Sequence, residues 1–145
     1  MTDLPGQTLF HSFQVDPEDP ASVPKARRLL LSLVRDWNLP LAHETHDDLG
    51  LLSSEVINNA VRHTSGPCSV TVRWTGARLR VEVTDTAAGL PTPRGRAPYA
   101  ESGRGLLLVA SVAASWGSAR TATGKVVWFE VAPAAPTADP DRLAS

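Results

Sequence analysis

A carboxylate and a carboxamide stand four residues apart in the sequence, at Glu55 and Asn59. In a helix this spacing places both side chains on one face, next to an apolar stripe formed by Leu52, Val56 and Ala60. Mg²⁺ prefers hard oxygen ligands and keeps phosphates and waters around it. The pair therefore suggests a metal–triphosphate site with Asn59 as the metal ligand and Glu55 as a base. Polar residues on a solvated helix edge often have the same spacing, so the interpretation as an ordinary exposed helix face stays open.

A second candidate group is Asp85, which ends a predicted strand and is followed four residues later by Gly89. A carboxylate buried at a strand end can accept a hydrogen bond from an exocyclic amine such as that of adenine. Glycine in turn lets the backbone approach a flat ring closely. Because Asp and Gly are also frequent in ordinary turns, these two residues by themselves leave both interpretations open.

A third candidate group is the glycine pair Gly103 and Gly105, which precedes an apolar run. Free backbone N–H groups at a helix N-terminus bind anions, and Arg94 and Arg104 add positive charge. Glycine at a helix start is as often only a cap. Residues 86–102 form a Gly- and Pro-containing stretch that is too long for a simple connection, which favours a functional or mobile lid.

The spacing of apolar residues predicts the elements that must position these groups. Period-two and helical patterns indicate strands at residues 8–15, 69–74, 79–84, 116–121 and 126–131, and helices at residues 21–37, at residues 42–63 and from about residue 103. This order is not a series of βαβ units. It predicts an α+β two-layer sandwich with a mixed, mostly antiparallel sheet and helices on one face. One domain spans residues 8–132, and the Ala-, Pro- and Asp-rich residues 133–145 are expected to be a disordered tail.

The composition is that of an ordinary globular protein. The 145 residues are 42% hydrophobic and 20% charged, with a net charge of −1, which argues against a nucleic-acid or membrane surface. Cys68 is the single cysteine, so an internal disulfide or a cysteine-based zinc site is excluded. Since no signal peptide or membrane-length apolar run is present, we expect a cytoplasmic protein.

In this order and spacing the three groups resemble the Bergerat-type ATP-binding domain, the histidine kinase-like (GHKL) ATPase family that includes gyrase and the histidine kinases. The likeness is greatest to its small free-standing members, the anti-sigma factor serine kinases and related ATP-binding regulators. It extends over about residues 10–131. Its most specific parts are Glu55-Val56-Ile57-Asn58-Asn59-Ala60-Val61-Arg62-His63 and Gly103-Arg104-Gly105-Leu106.

The resemblance implies ATP and Mg²⁺ as cofactors and assigns a role to each group. Asn59 would bind the Mg²⁺, and Glu55 would orient or deprotonate the nucleophile that attacks the γ-phosphate. Asp85 would hold the adenine amine, with Gly89 beside the base. Gly103, Arg104 and Gly105 would line the phosphates, and Arg94 and Leu106 are further candidates for contact with the nucleotide.

Some residues extend or depart from the family pattern. His63, four residues after Asn59, is a further candidate for contact with the nucleotide, although a histidine near a helix C-terminus is often structural. Ala87 stands where the family often has the first glycine of Asp-x-Gly-x-Gly. Lys125, which follows Gly124, stands where many members have a threonine near the adenine. A backbone group or a water can replace that contact, so these departures concern affinity and turnover more than the fold.

The resemblance implies a regulator that phosphorylates Ser or Thr of a small antagonist protein and sequesters a sigma factor. Residues 1–48 are too few for the dimerising helices of a histidine kinase, and no gyrase-like transducer domain follows, so we expect a free-standing regulator. Two alternatives remain: a module that binds ATP without transferring phosphate, and a nucleotide-free α+β scaffold. Relatives often pair as homodimers, which is one option for this chain; nucleic acid and membrane are not expected as partners.

Overall fold

The computed structural model describes residues 8–62, 64, 66–85, 112–122 and 124–134. The elements in this part of the chain are, in order, β1 (Leu9–Val15), α1 (Ser22–Trp37), α2 (His43–Arg62), β2 (Cys68–Trp74), β3 (Leu79–Asp85), β4 (Ser115–Arg120) and β5 (Lys125–Val131). Each begins and ends within one or two residues of the bounds predicted from the sequence. The predicted lid and the start of the third helix, near Gly103, lie outside the described residues.

The described strands form one sheet in the order β1-β2-β3-β5-β4. Every neighbouring pair in this order is antiparallel, and α1 and α2 pack together and lie against the sheet. The α+β two-layer sandwich is therefore confirmed. None of the helices in the described part of the chain combines the length and the hydropathy that a membrane span needs.

One face of the sheet is covered by the two helices and forms the core. Successive strand residues point to opposite faces, so every second residue of β2 and β3 is buried while its neighbours are half-buried. The helices bury a matching apolar stripe. The core side chains on the two central strands and on α2 are Cys68, Val70, Val72, Trp74, Leu79, Val81, Val83, Leu49, Leu52, Val56, Ile57 and Ala60.

Gly50 lies in the middle of α2, where glycine costs about 1 kcal/mol relative to alanine. A Cβ atom at this position would lie 3.1 Å from Arg27 Nε and 3.3 Å from Leu31 Cδ1, both on α1. Gly50 therefore leaves room for the ends of these two flexible side chains on this side of α2. The same contact shows which side of α2 faces α1.

The opposite face of the sheet carries a cluster of charged side chains. Arg80 Nε donates to Glu82 Oε2 at 2.6 Å and Arg80 Nη1 donates to Glu130 Oε2 at 3.0 Å, while Ser115 Oγ donates to Glu130 Oε1 at 2.9 Å. Burial by itself would raise the pKa of Glu130, but the hydrogen bonds from Arg80 and Ser115 outweigh it and hold this pKa below its ordinary value. The Arg80 guanidinium also lies 4.0 Å above the Trp128 ring. These contacts connect β3, β4 and β5 on this face.

The register gives the sheet two distinct ends. Asp85 pairs with Cys68 on β2 and with Lys125 on β5, whereas Leu79 pairs with Val131 at the opposite end. Directly paired residues point to the same face. Asp85, Cys68 and Lys125 therefore all point to the helix-covered face at one end, which we call the Asp85 end.

Candidate functional site

The direction of α2 brings Asn59 to the Asp85 end. The first half of the helix, including Asp48, lines a cavity of about 300 Å³ together with residues 131–134, which belong to the opposite end of the sheet. From Asp48 to Asn59 the helix advances about 17 Å, and β5 runs about 20 Å from its last residue back to Lys125. Because α2 runs away from this cavity, its C-terminal half, which carries Asn59, extends toward the Asp85 end.

The connection that follows α2 leads to the same placement. The helix ends at Arg62 and β2 begins at Cys68, the residue that pairs directly with Asp85. The short connection keeps the C-terminal end of α2 beside this end of the sheet.

Asn59 is a buried amide whose polar atoms are not satisfied. The residue is 4% exposed, and neither Oδ1 nor Nδ2 has a hydrogen-bond partner among the residues that the structure describes. Most buried polar groups in proteins are hydrogen-bonded, and an unpaired one costs roughly 1–3 kcal/mol. An amide oxygen is also a hard, neutral ligand of the kind that Mg²⁺ accepts beside phosphates and waters. Asn59 therefore fits the role of a ligand for a metal-bound nucleotide.

Glu55 shares the side of α2 that carries Asn59. The two residues are separated by about 6 Å along the helix axis, and Glu55 is half-buried. At about 100° per residue, both lie roughly 140–180° around the helix from Gly50, whose position faces α1. The carboxylate and the amide are therefore on the side of α2 that points away from α1.

Asp85 ends β3 as a buried carboxylate, 2% exposed. Lys125 Nζ lies 4.0 Å from Asp85 Oδ2, and the lysine side chain is 17% exposed. Burying a carboxylate is costly unless a cation or hydrogen-bond donors compensate its charge, and Lys125 supplies a cation. The Asp85 end thus presents an acceptor and a charged donor side by side on the helix-covered face.

Gly124, which precedes Lys125, packs directly on Asp85. A Cβ atom at Gly124 would overlap the carbonyl oxygen of Asp85 and would lie 3.1 Å from its Oδ1. Only a residue without a side chain allows this approach. Gly124 therefore sets how closely the start of β5 approaches the end of β3.

Cys68 is fully buried beside Asp85. Burial raises the pKa of its thiol to about 11, and the negative charge of Asp85 adds to the increase. We expect the native thiol to react with iodoacetamide about 100-fold more slowly at neutral pH than a thiol with the ordinary pKa of 9.0, because the thiolate is the nucleophile.

The rate of Cys68 alkylation, followed by mass spectrometry, should rise about tenfold per pH unit until the thiol titrates. The same chain in denaturant serves as the control. Equal rates in the native and unfolded proteins would contradict both the burial and the raised pKa. Asp85→Asn should accelerate the native reaction only modestly, because burial is the larger cause.

Of the predicted site residues, Asn59 is buried near the C-terminal end of α2 and Asp85 is buried at the end of β3, while Glu55 lies one helical turn before Asn59. The other predicted contacts lie outside the described residues: His63, Gly89, Arg94, Gly103, Arg104, Gly105 and Leu106. The resemblance placed Lys125 near the adenine, but the sequence interpretation predicted neither its ion pair with Asp85 nor the packing of Gly124 on that residue. The only signal for them was the Gly-Lys dipeptide at the start of the last strand.

A family model, the histidine kinase-like ATPase domain, matches residues 17–131. The match covers most of the chain, and the chain belongs to this family. A comparison with curated proteins gave no significant match. Membership of the family supports ATP binding, and the buried amide, the nearby carboxylate and the Asp85 end are the described groups suited to it.

Proposed function

We propose that this chain is an ATP-dependent protein serine/threonine kinase of the anti-sigma factor type, which phosphorylates a small antagonist protein and binds a sigma factor. The observation that supports the proposal best is the buried amide of Asn59, which has no hydrogen-bond partner among the described residues and lies one helical turn from Glu55. The anti-sigma class is supported by the likeness of the Glu-x₃-Asn and Gly-x-Gly-Leu motifs to those regulators.

Two of the described residues would bind different parts of a Mg²⁺–ATP complex. Asn59 Oδ1 would be a ligand of the metal, and Asp85 would accept a hydrogen bond from the adenine amine. Bound Mg²⁺ supplies positive charge that neutralises the phosphates. Both protein groups sit on regular secondary structure, which holds a site more precisely than loops do.

Glu55 supplies the base for transfer of the γ-phosphoryl group. Its carboxylate accepts the proton of a serine or threonine hydroxyl while that oxygen forms a bond to the γ-phosphorus. The bond between this phosphorus and the bridging oxygen breaks, and ADP leaves. Positioning and charge neutralisation carry most of the catalysis in such reactions, and a base contributes roughly 10²–10⁴-fold.

A non-catalytic ATP-binding module is the second candidate. The observation that favours it is Lys125, which stands beside Asp85 where many relatives have threonine. This alternative retains ATP binding and a protein partner but forms no ADP.

Transfer of labelled phosphate separates the two candidates. The protein, Mg²⁺, γ-labelled ATP and candidate antagonist proteins are incubated, and label on the antagonist is quantified. We expect Glu55→Gln to lower the transfer rate about 10²–10⁴-fold without a large change in ATP affinity. Glu44→Gln, on the exposed first turn of the same helix, is the matched control and should retain activity.

Transfer that persists at the native rate in Glu55→Gln would reject the assigned base. Binding of Mg²⁺–ATP without ADP formation in the presence of any partner would support the non-catalytic module instead. Calorimetry that shows no ATP binding by the folded protein would reject both.

A further inference from the structure

We propose that Lys125 recognises the adenine base. Its ammonium group donates a hydrogen bond to adenine N1, while Asp85 accepts a hydrogen bond from the exocyclic amine of adenine. The inference rests on the ATP site proposed above and adds the residue that recognises a second polar atom of the base. It concerns nucleotide binding and does not depend on whether phosphate is transferred.

The geometry places a donor and an acceptor next to each other. Lys125 and Asp85 are directly paired in the register of β3 and β5, so both side chains leave the sheet on the same face. Their charged atoms, Nζ and Oδ2, are 4.0 Å apart. On one edge of adenine a donor, the amine, and an acceptor, N1, are also neighbours. The protein pair and the base edge are therefore complementary.

The ammonium group can serve Asp85 and a base together. It carries three N–H donors, more than one contact uses, and it lies at the ion-pair distance of 4.0 Å from Asp85 Oδ2. A donor can therefore point at a base while the positive charge continues to compensate the buried carboxylate. A charged donor also makes shorter and stronger hydrogen bonds than the neutral hydroxyl of a threonine.

The backbone holds the pair in place before any ligand binds. Gly124 packs on the carbonyl oxygen of Asp85, and a Cβ there would lie 3.1 Å from Asp85 Oδ1, so the lysine stem starts from a fixed position beside the carboxylate. The lysine side chain is largely buried, 17% exposed, which restricts its freedom further. Groups positioned in advance lose less entropy on binding.

The test measures the affinities for ATP and for 1-deaza-ATP, in which a C–H group replaces N1. Both are measured by isothermal titration calorimetry in the presence of Mg²⁺. We expect the native protein to bind ATP about 10–100-fold more tightly than 1-deaza-ATP, the range for a hydrogen bond to a charged group. Lys125→Met should weaken ATP binding by a similar factor and bind the two nucleotides equally. Lys25→Met removes the other lysine of the chain, which is exposed and paired with Asp19, and should retain the native preference.

Each other outcome overturns the proposal. If Lys125→Met weakens the binding of both nucleotides by the same factor and keeps the preference for ATP, Lys125 acts only on Asp85. If the native protein binds ATP and 1-deaza-ATP equally, N1 is not recognised, although the ATP site stands. If the native protein binds neither, the ATP site itself is wrong. If the protein binds ATP but transfers no phosphate, the comparison of ATP with 1-deaza-ATP still tests the role of Lys125.

A second measurement uses the native protein and needs no folded variant. Reductive methylation of the two lysines is followed by mass spectrometry with and without nucleotide. ATP should slow the labelling of Lys125 several-fold and leave that of Lys25 unchanged, whereas inorganic triphosphate should protect neither. Equal protection of Lys125 by triphosphate would place its ammonium at the phosphates and overturn the proposal.

Discussion

Asn59→Ala will remove Mg²⁺-dependent ATP binding and at the same time stabilise the ligand-free protein. The side chain is 4% exposed with both polar atoms unpaired among the described residues, a state that costs roughly 1–3 kcal/mol. Alanine removes the unpaired groups and is the better helix former, while the small space it leaves offsets part of the gain. We expect the free energy of unfolding to rise by about 1 kcal/mol.

Chemical denaturation and calorimetric titration with Mg²⁺–ATP measure the two effects of Asn59→Ala. The loss of a metal ligand should lower the affinity for Mg²⁺–ATP at least about 100-fold. Chelation of Mg²⁺ should therefore weaken ATP binding by the native protein more than ATP binding by the variant. The matched control is Asn58→Ala, at the adjacent exposed position of α2, which gains helix propensity but removes no buried amide. An Asn59→Ala protein that is less stable than the native protein would contradict the absence of hydrogen-bond partners for this amide among the described residues.

Gly124→Ala will destabilise the protein and weaken ATP binding together. The added Cβ would overlap the carbonyl oxygen of Asp85, and this contact is with backbone, so the start of β5 or the end of β3 must move. Overpacking of this kind costs about 1–3 kcal/mol. Because the carboxylate assigned to the adenine amine moves with its backbone, we expect ATP affinity to fall at least about tenfold.

Gly50→Ala is the matched control for the glycine substitution. Its Cβ would meet the guanidinium of Arg27 at 3.1 Å, the flexible end of an exposed side chain, and alanine gains about 1 kcal/mol of helix propensity. We expect native or slightly higher stability and native ATP affinity. Thermal denaturation and titration of both variants provide the comparison. If Gly124→Ala retains both native properties, the close packing on Asp85 does not hold the site.

Local patterns predicted the elements of this fold well. β2 alternates between apolar and polar residues throughout, and β3 does so until Asp85 takes a buried position. A period of two is produced by strand geometry alone. The i, i+4 spacing of Glu55 and Asn59 likewise predicted one helix face, because the helical repeat fixes which side chains are neighbours. The α+β class followed from the order of these elements.

Other features of the site could not be predicted because they join distant parts of the chain. Lys125 meets Asp85 only because β5, rather than β4, lies beside β3, and local patterns carry no information on that order. The need for glycine at position 124 arises from the backbone of Asp85, which no neighbour of Gly124 in sequence reveals. The lack of hydrogen-bond partners for Asn59 among the described residues likewise depends on the groups that pack around it in the folded chain.

The described helices and strands and the residue types available for chemistry follow from the sequence, because hydrophobic period and side-chain spacing are local properties of the chain. Only the folded chain shows that Asp85 and Lys125 are paired at one end of the helix-covered face and that the amide of Asn59 is buried. That placement follows from strand order, register and the direction of α2, which are set by burying apolar surface from all elements at once.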